Sequence, residues 1–225
     1  MDEINDDQAP VLTIDGPSGA GKGTVSRSIA KILGWHYLDS GAIYRAMAVA
    51  MGRNNVSLSE LSNITQLALS MNLEFRCEDS LRVYLEGEEI TDDIQTEQCG
   101  KLASQVAAIS EVRSALLEKQ HEFQRLPGLV ADGRDMGTIV FPSAPYKIFL
   151  TANPLARAKR RYKQLKEKGI SVSLNSIVND LEERDKRDIE RVSSPLCKAE
   201  GALFIDSTDM SINEVIEKGL SIVQS

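Results

Sequence analysis

The stretch Gly16-Pro17-Ser18-Gly19-Ala20-Gly21-Lys22-Gly23-Thr24 constrains this chain more than any other feature. It follows an apolar run, Val11-Leu12-Thr13-Ile14-Asp15, that reads as a buried strand. A helix is predicted directly after it, from about Lys22 to Leu33, with Val25, Ile29, Ile32 and Leu33 at core spacing and Gly34 as its stop. Strand, glycine-rich loop and helix, in that order, form the context of a phosphate-binding P-loop. Glycines let backbone N–H groups converge on phosphate oxygens without interference from Cβ atoms. The helix N-terminus adds open donors and a partial positive charge. Lys22 can bridge β- and γ-phosphates and neutralise charge that develops during transfer. One position departs from the usual pattern. Gly23 stands where Ser or Thr normally binds Mg²⁺, so that role passes to Thr24. The loop implies a nucleoside triphosphate but does not name what accepts the phosphoryl group.

The rest of the chain alternates apolar strands with amphipathic helices. An extended piece, Trp35 to Leu38, leads to Asp39-Ser40, where Ser40 is placed to cap a helix reaching about Met51. A third helix is predicted near Leu58 to Leu69. Residues 72–76 and 81–86 then alternate apolar and polar side chains, and Gly87 turns the chain into Glu88-Glu89-Ile90. That pattern predicts a small antiparallel sheet inserted between helices. Helical periodicity returns at about Glu97–Ile109 and Glu111–Phe123. Further strands are read at Leu129–Gly133, Lys147–Thr151 and Leu203–Asp206, with helices at about Pro154–Lys168, Ser173–Arg191 and from Ser211. The expected class is α/β, a P-loop fold with a central parallel sheet of about five strands covered by helices on both faces. A single domain is expected, with its core at about 10–69 and 95–225 and the insert at about 70–94.

Length and charge narrow the function. The 225 residues suit one three-layer domain, and 42% hydrophobic content is ordinary for a globular chain. A net charge of −7 argues against a non-specific nucleic-acid or membrane-surface binder, because either partner needs a basic field. Any anion site must be a local arginine cluster. Cys77, Cys99 and Cys197 match neither a disulfide framework nor a zinc spacing and read as buried or idle thiols of a reducing cytosol. Met1 to Ala9 is acidic and polar, unlike a signal peptide, and no apolar run nears the roughly 20 residues that span a bilayer. A cytoplasmic protein is expected. His36 and His121 fall outside every motif.

Two helices carry arginine patterns. Arg184, Asp188 and Arg191 are spaced i, i+4, i+7 on one predicted face, which suits a phosphate beside a ribose hydroxyl and suits a solvated charged face equally. Arg157, Arg160 and Arg161 make a second such face, for which solvation is the plainer reading. Asp132 ends a predicted buried strand in Walker-B fashion, so it can order Mg²⁺ through water or serve as a structural cap.

Longer motifs add a family resemblance. Gly21-Lys22-Gly23-Thr24 has the form found in nucleoside monophosphate kinases. Asp39-Ser40-Gly41-Ala42-Ile43-Tyr44-Arg45, Ala131-Asp132-Gly133-Arg134-Asp135-Met136-Gly137-Thr138, Glu183-Arg184-Asp185-Lys186-Arg187-Asp188 and Arg191 closely resemble the bacterial cytidylate kinase family. The resemblance runs in order from about Pro10 to the C-terminus and includes the inserted sheet. It implies ATP as co-substrate, Mg²⁺ as cofactor, CMP or dCMP as acceptor, and a monomer with no nucleic-acid or membrane partner. It implies an acceptor site of Ser40, Tyr44, Arg45, Ser104, Arg113, Arg134, Asp135, Arg184, Asp188 and Arg191. Within that site Arg45, Arg134 and Arg191 would hold the phosphate, Ser104, Arg113 and Asp135 would face the cytosine, and Arg184 with Asp188 the sugar. Lys22, Arg134, Asp132, Arg157 and Arg161 would carry catalysis. Arg157 and Arg161 would lie on a lid of about residues 154–170, and Thr24 and Asp132 would serve the metal.

The chemistry fits those residue types. A carboxylate reads cytosine because it accepts from the exocyclic amine, which uracil lacks. A nucleotide's phosphate is mostly a dianion at neutral pH, so no general base is required. A UMP/CMP dual-specificity kinase shares all of this except the base readout. Another small-molecule P-loop kinase would not need the insert or both arginine helices. A GTPase switch would need an Asn-Lys-x-Asp loop, and the sequence contains none.

Overall fold

Val11–Asp15 (β1) is buried at all five positions and forms the middle of the main sheet. The computed structural model describes residues 8–77, 81–167 and 169–224, without the side chain of Cys77. After β1 come α1 (Lys22–Leu33), β2 (His36–Asp39), α2 (Ser40–Arg53) and α3 (Leu61–Ser70). Strands β3 (Leu73–Cys77), β4 (Leu81–Leu85) and β5 (Glu88–Glu89) precede α4 (Glu97–Val106) and α5 (Ser110–His121). The chain then runs through β6 (Leu129–Gly133), β7 (Tyr146–Thr151), α6 (Pro154–Glu167), α7 (Leu174–Glu190), β8 (Leu203–Asp206) and α8 (Ile212–Gln224). The main sheet has the order β2-β6-β1-β7-β8, and β1 runs parallel to both β6 and β7, as β7 does to β8. The expected α/β class is the one observed.

Two compact units emerge. The first comprises Met1–Leu38, Glu122–Glu190 and Ser194–Ser225. Its core is the sheet, with Leu12, Ile14, Leu129, Val130, Ile148 and Leu150 essentially inaccessible beneath helices such as α1, which contributes Ile29. Ile32, expected on the same face of α1, lies in its last turn and is exposed. Helices α6 and α7 form a hairpin with its own apolar cluster of Ala158, Leu165, Ile177 and Leu181.

The second unit is Asp39–His121 with Arg191–Ser193. The predicted small antiparallel sheet is there as β3-β4-β5, with Phe75 opposite Val83 and Tyr84 opposite Glu89. It belongs to a unit that also contains α2 to α5, whose core includes Ile43, Met47, Ile64, Met71, Val83 and Leu116.

Two local expectations need correction, and one element was not foreseen. Asp39, not Ser40, caps α2: its carboxylate accepts from Ala42 N at 3.0 Å, and Ser40 is already helical. Both are capping residue types, and the end of β2 selects the earlier one. Helix α7 stops at Glu190, so Arg191 lies just past its end instead of sharing a helical face with Arg184 and Asp188. The chain doubles back there, with Leu196 N donating to the Asp188 carbonyl at 2.7 Å and Ser194 at φ 54°. Between β6 and β7, Met136–Val140 forms a π-helical turn that periodicity did not predict.

Candidate active site

The phosphate loop leaves β1 between two parallel neighbours, and the geometry demands glycine at its first position. Gly16 has φ 151°, and a Cβ there would lie 1.9 Å from the Leu150 carbonyl oxygen of β7. Backbone cannot yield by that distance, so no other residue fits. Gly21 sits at φ 98° before α1, and no side chain caps the helix, which leaves the first-turn N–H groups available to an anion. Lys22 is buried and folds back over the loop, its Nζ donating to Pro17 O at 3.1 Å.

Gly23 has a separate reason. A Cβ there would stand 3.4 Å from Asp132 Oδ2 and 3.2 Å from Arg27 Nη1. The Asp132 carboxylate therefore lies against the first turn of α1, where Tyr37 OH donates to its Oδ2 at 3.2 Å. Thr24 is exposed one position further on. No cluster of three or more His, Cys, Asp or Glu able to hold a metal occurs among the described residues. One carboxylate oxygen beside a phosphate loop suits Mg²⁺, which keeps several waters and shares phosphate oxygens.

The arginines of α6 brace this loop. Arg157 is buried, contrary to a solvated face: Nη1 donates to Ser18 O at 2.9 Å and pairs with Asp185 Oδ2 at 2.6 Å, while Nε donates to Ala152 O at 3.0 Å. Its Cβ packs on Gly19. Arg160 donates to Ala20 O at 3.2 Å and to Ser207, whose hydroxyl also reaches Ala20 O. Arg161 is half-buried on the same helix. Two loop carbonyls, Ser18 and Ala20, are thus held from the side opposite to where N–H groups are needed.

Beside β1, strand β6 ends with Gly133 opposite Asp15, and the loop beyond it carries Arg134 and Asp135. Arg134 Nε donates to Asp188 Oδ2 of α7 at 2.7 Å. Burial opposes the Arg134 charge, but Asp188, helped by Asp132 and Asp185, holds it above its ordinary range. Asp135 is 2% exposed and starts the π-helical turn, its carbonyl accepting from Ile139 N and Val140 N. Underneath, Asp15 accepts from Met136 N through Oδ1 and from Gly137 N through Oδ2, both at 2.8 Å. Burial pushes the Asp15 carboxyl up to about 6, the two N–H donors pull it down, Asp135 raises it and Lys22 lowers it.

The second unit holds its own predicted residues. Ser40 Oγ donates to Gln120 Oε1 at 2.8 Å, and Arg45 Nη1 donates to Ile94 O with its guanidinium packed on Gly100. Arg113 is buried, with its guanidinium 5.7 Å from the ring centre of the buried Tyr44. Ser104 Oγ is buried and has no hydrogen-bond partner among the described residues. A buried hydroxyl in that state is a group waiting for a ligand or water. Arg191 is half-buried.

Sequence reasoning missed Asp15, Asp185, Tyr37 and Ser207. An acid ending an otherwise apolar strand was the one available signal for Asp15. The others depend on partners far along the chain.

With this geometry in view, a family model and several curated relatives name one family. The cytidylate kinase family model matches residues 12–225. A cytidylate kinase of Methylococcus capsulatus is 57% identical over 97% of this chain and 99% of its own. Those of Colwellia psychrerythraea and Nitrosococcus oceani are 54% and 50% identical, covering 94% and 95% of this chain and 95% of each relative.

Proposed function

Because the chain belongs to the cytidylate kinase family, we propose that it transfers the γ-phosphoryl of ATP to CMP or dCMP, giving ADP and CDP or dCDP. The observation that carries this reading is a backbone phosphate cradle after β1 set beside an arginine-bearing loop after β6, its neighbour in the sheet. ATP phosphates take the N–H groups of Gly16 to Thr24. Lys22 exchanges its contact with Pro17 for the β- and γ-oxygens and neutralises the charge that builds there. Bound Mg²⁺, held by Asp132 through water and by Thr24, would supply further neutralisation of the phosphate oxygens.

The acceptor's dianionic phosphate attacks in line, and Arg45, Arg134 and Arg191 hold it. Arg184 and Asp188 take the sugar, and Tyr44 supports Arg113, which with Ser104 and Asp135 faces the base. Asp188 already orders Arg134, so that guanidinium is aimed before substrate arrives. Arg157 and Arg161 complete the charge around the transferring group from α6, the lid segment of about 154–170. The protein works as a monomer in the cytoplasm. No helix among the described residues is long and apolar enough to cross a membrane.

A coupled ADP-release assay over the common ribo- and deoxyribonucleoside monophosphates tests the reading. CMP and dCMP should turn over with far higher kcat/KM than UMP, and ATP hydrolysis without acceptor should be a small fraction of either rate. Asp135→Ala should collapse the CMP:UMP ratio, which a site built on one buried hydrogen bond can carry up to about 10⁴-fold. Equal turnover of UMP would favour dual specificity. Acceptor-independent hydrolysis at the full rate would overturn the kinase assignment.

A further inference from the structure

Asp15 is a buried acid that the mechanism above leaves without a task. It is 2% exposed at the end of β1, one residue before the phosphate loop. Burying a carboxylate is unfavourable unless its oxygens are satisfied, and here each oxygen takes one backbone N–H, from Met136 and from Gly137, at 2.8 Å. Those two N–H groups immediately follow Asp135. They cannot move without turning the Asp135 carboxylate. The contact is close because residue 137 lacks a side chain: a Cβ on Gly137 would lie 2.8 Å from Thr13 Oγ1 and 3.4 Å from Asp15 Oδ2. A Cβ on Gly133 would strike Met136 Cγ at 2.7 Å, so the loop folds tightly on itself at its other end too. Within the turn, Ile139 N and Val140 N donate to the Asp135 carbonyl and Phe141 N to that of Met136, so the loop is held together internally and Asp15 grips it at its start.

We propose that Asp15 is a positioning residue for base selection, a two-pronged clasp that sets the rotation of the loop carrying Asp135. The inference rests on the reading of Asp135 as the base-facing carboxylate. A carboxylate reading an amine must be placed to within a fraction of an ångström, and a site looser than that loses discrimination before it loses binding. Asp15 never meets the nucleotide. It acts through Met136 and Gly137.

The test compares kcat/KM for CMP and UMP in Asp15→Asn, Asp135→Ala and the parent enzyme. Asparagine has the shape of aspartate, but only one of its two prongs accepts. Its amide N–H₂ would face a backbone N–H, donor against donor, and the loop must tilt. The CMP:UMP ratio should fall by about tenfold or more toward the Asp135→Ala value, although Asp135 is intact. The thermal midpoint should change little, because the variant also removes a buried charge. A second variant, Gly137→Ala, lifts the same loop while keeping Asp15 and should lower the ratio in the same direction. If Asp15→Asn slows both nucleotides equally and leaves the ratio intact while Asp135→Ala collapses it, Asp15 is structural and the inference falls alone. If Asp135→Ala leaves the ratio intact, the base-reading role of Asp135 falls first and takes this inference with it.

Discussion

The loops after β1 and β6 leave adjacent strands in register, Asp15 opposite Gly133, yet they are built from different material. The first offers backbone: glycines, an uncapped helix N-terminus and one lysine folded over them. The second offers side chains, Arg134 and Asp135, just ahead of a short π-helical turn. A backbone cradle is rigid once its own dihedrals are set, so its supports only need to hold carbonyls out of the way. Arg157 and Arg160 do so from α6. A side-chain reader has more freedom and needs orientation from outside. Asp188 orients Arg134, and Asp15 holds the backbone beside Asp135. Generic phosphate recognition and specific acceptor recognition thus impose different demands on neighbouring loops.

The largest expected effect separates the two loops by substrate. Lys22→Ala removes the one charged side chain of the backbone cradle, so kcat should fall on the order of 10²–10³-fold. CMP affinity, measured by calorimetry in the absence of ATP, should stay near its parent value. An unchanged kcat would take Lys22 out of the mechanism and would erase the division of labour.

Proton linkage at Asp15 is the next test. Its carboxyl is raised from 3.8 to about 6 in the folded protein, with Asp135, Lys22 and the N–H groups of Met136 and Gly137 facing it. A raised acid binds its proton more tightly when folded, so its ionisation opposes folding above pH 6. That opposition is relieved as pH falls through 6 and is gone below 3.8. Denaturant titrations of the parent and Asp15→Asn at pH 8 and pH 4 should show the parent gaining about 2 kcal/mol on its variant at the lower pH. A difference that did not move with pH would mean the clasp is neutral or that its charge is well solvated.

The smallest effect concerns the brace. Asp185→Asn leaves Arg157 its carbonyl partners but removes the anion 2.6 Å away. KM for ATP should rise about tenfold, with KM for CMP shifted far less, the loss expected for one charged hydrogen bond. An equal rise in both would show that α7 supports the two loops as one.

Legibility in the sequence follows the same division. The limits of β1, α1, β6 and β8 agree with the reading residue for residue, because apolar runs ended by glycine or acid carry their boundaries locally. The phosphate loop was legible for that reason, and Lys22 with it. For Arg157 spacing alone favours a solvated face, and only the family resemblance gives it a task, because a helix rich in Lys and Arg looks solvated until partners such as Ser18 and Asp185 are known. The π-helical turn was missed because five residues are too few to show a period. Asp15 was missed because its partners lie more than a hundred residues away, and no local pattern encodes them. Where α2 and α7 begin and end turned on one residue each, with competing caps at Asp39 and Ser40 and a turn after Glu190.

The position of β1 between β6 and β7 also bears on synthesis. Asp39–His121 is almost the whole of one compact unit and is contiguous, so it can close around its own core as soon as it clears the ribosome. Val11–Asp15 emerges before that unit, but its partners Leu129–Gly133 and Tyr146–Thr151 come after it. At usual elongation rates this apolar strand waits on the order of ten seconds without a mate. Throughout that interval the phosphate loop has no β7 carbonyl behind Gly16 and no acceptor loop to clasp. The nascent chain is therefore a folded insert trailing a sticky, nucleotide-incompetent N-terminal strand, and chaperone contact during translation is expected to fall on Val11–Ile14.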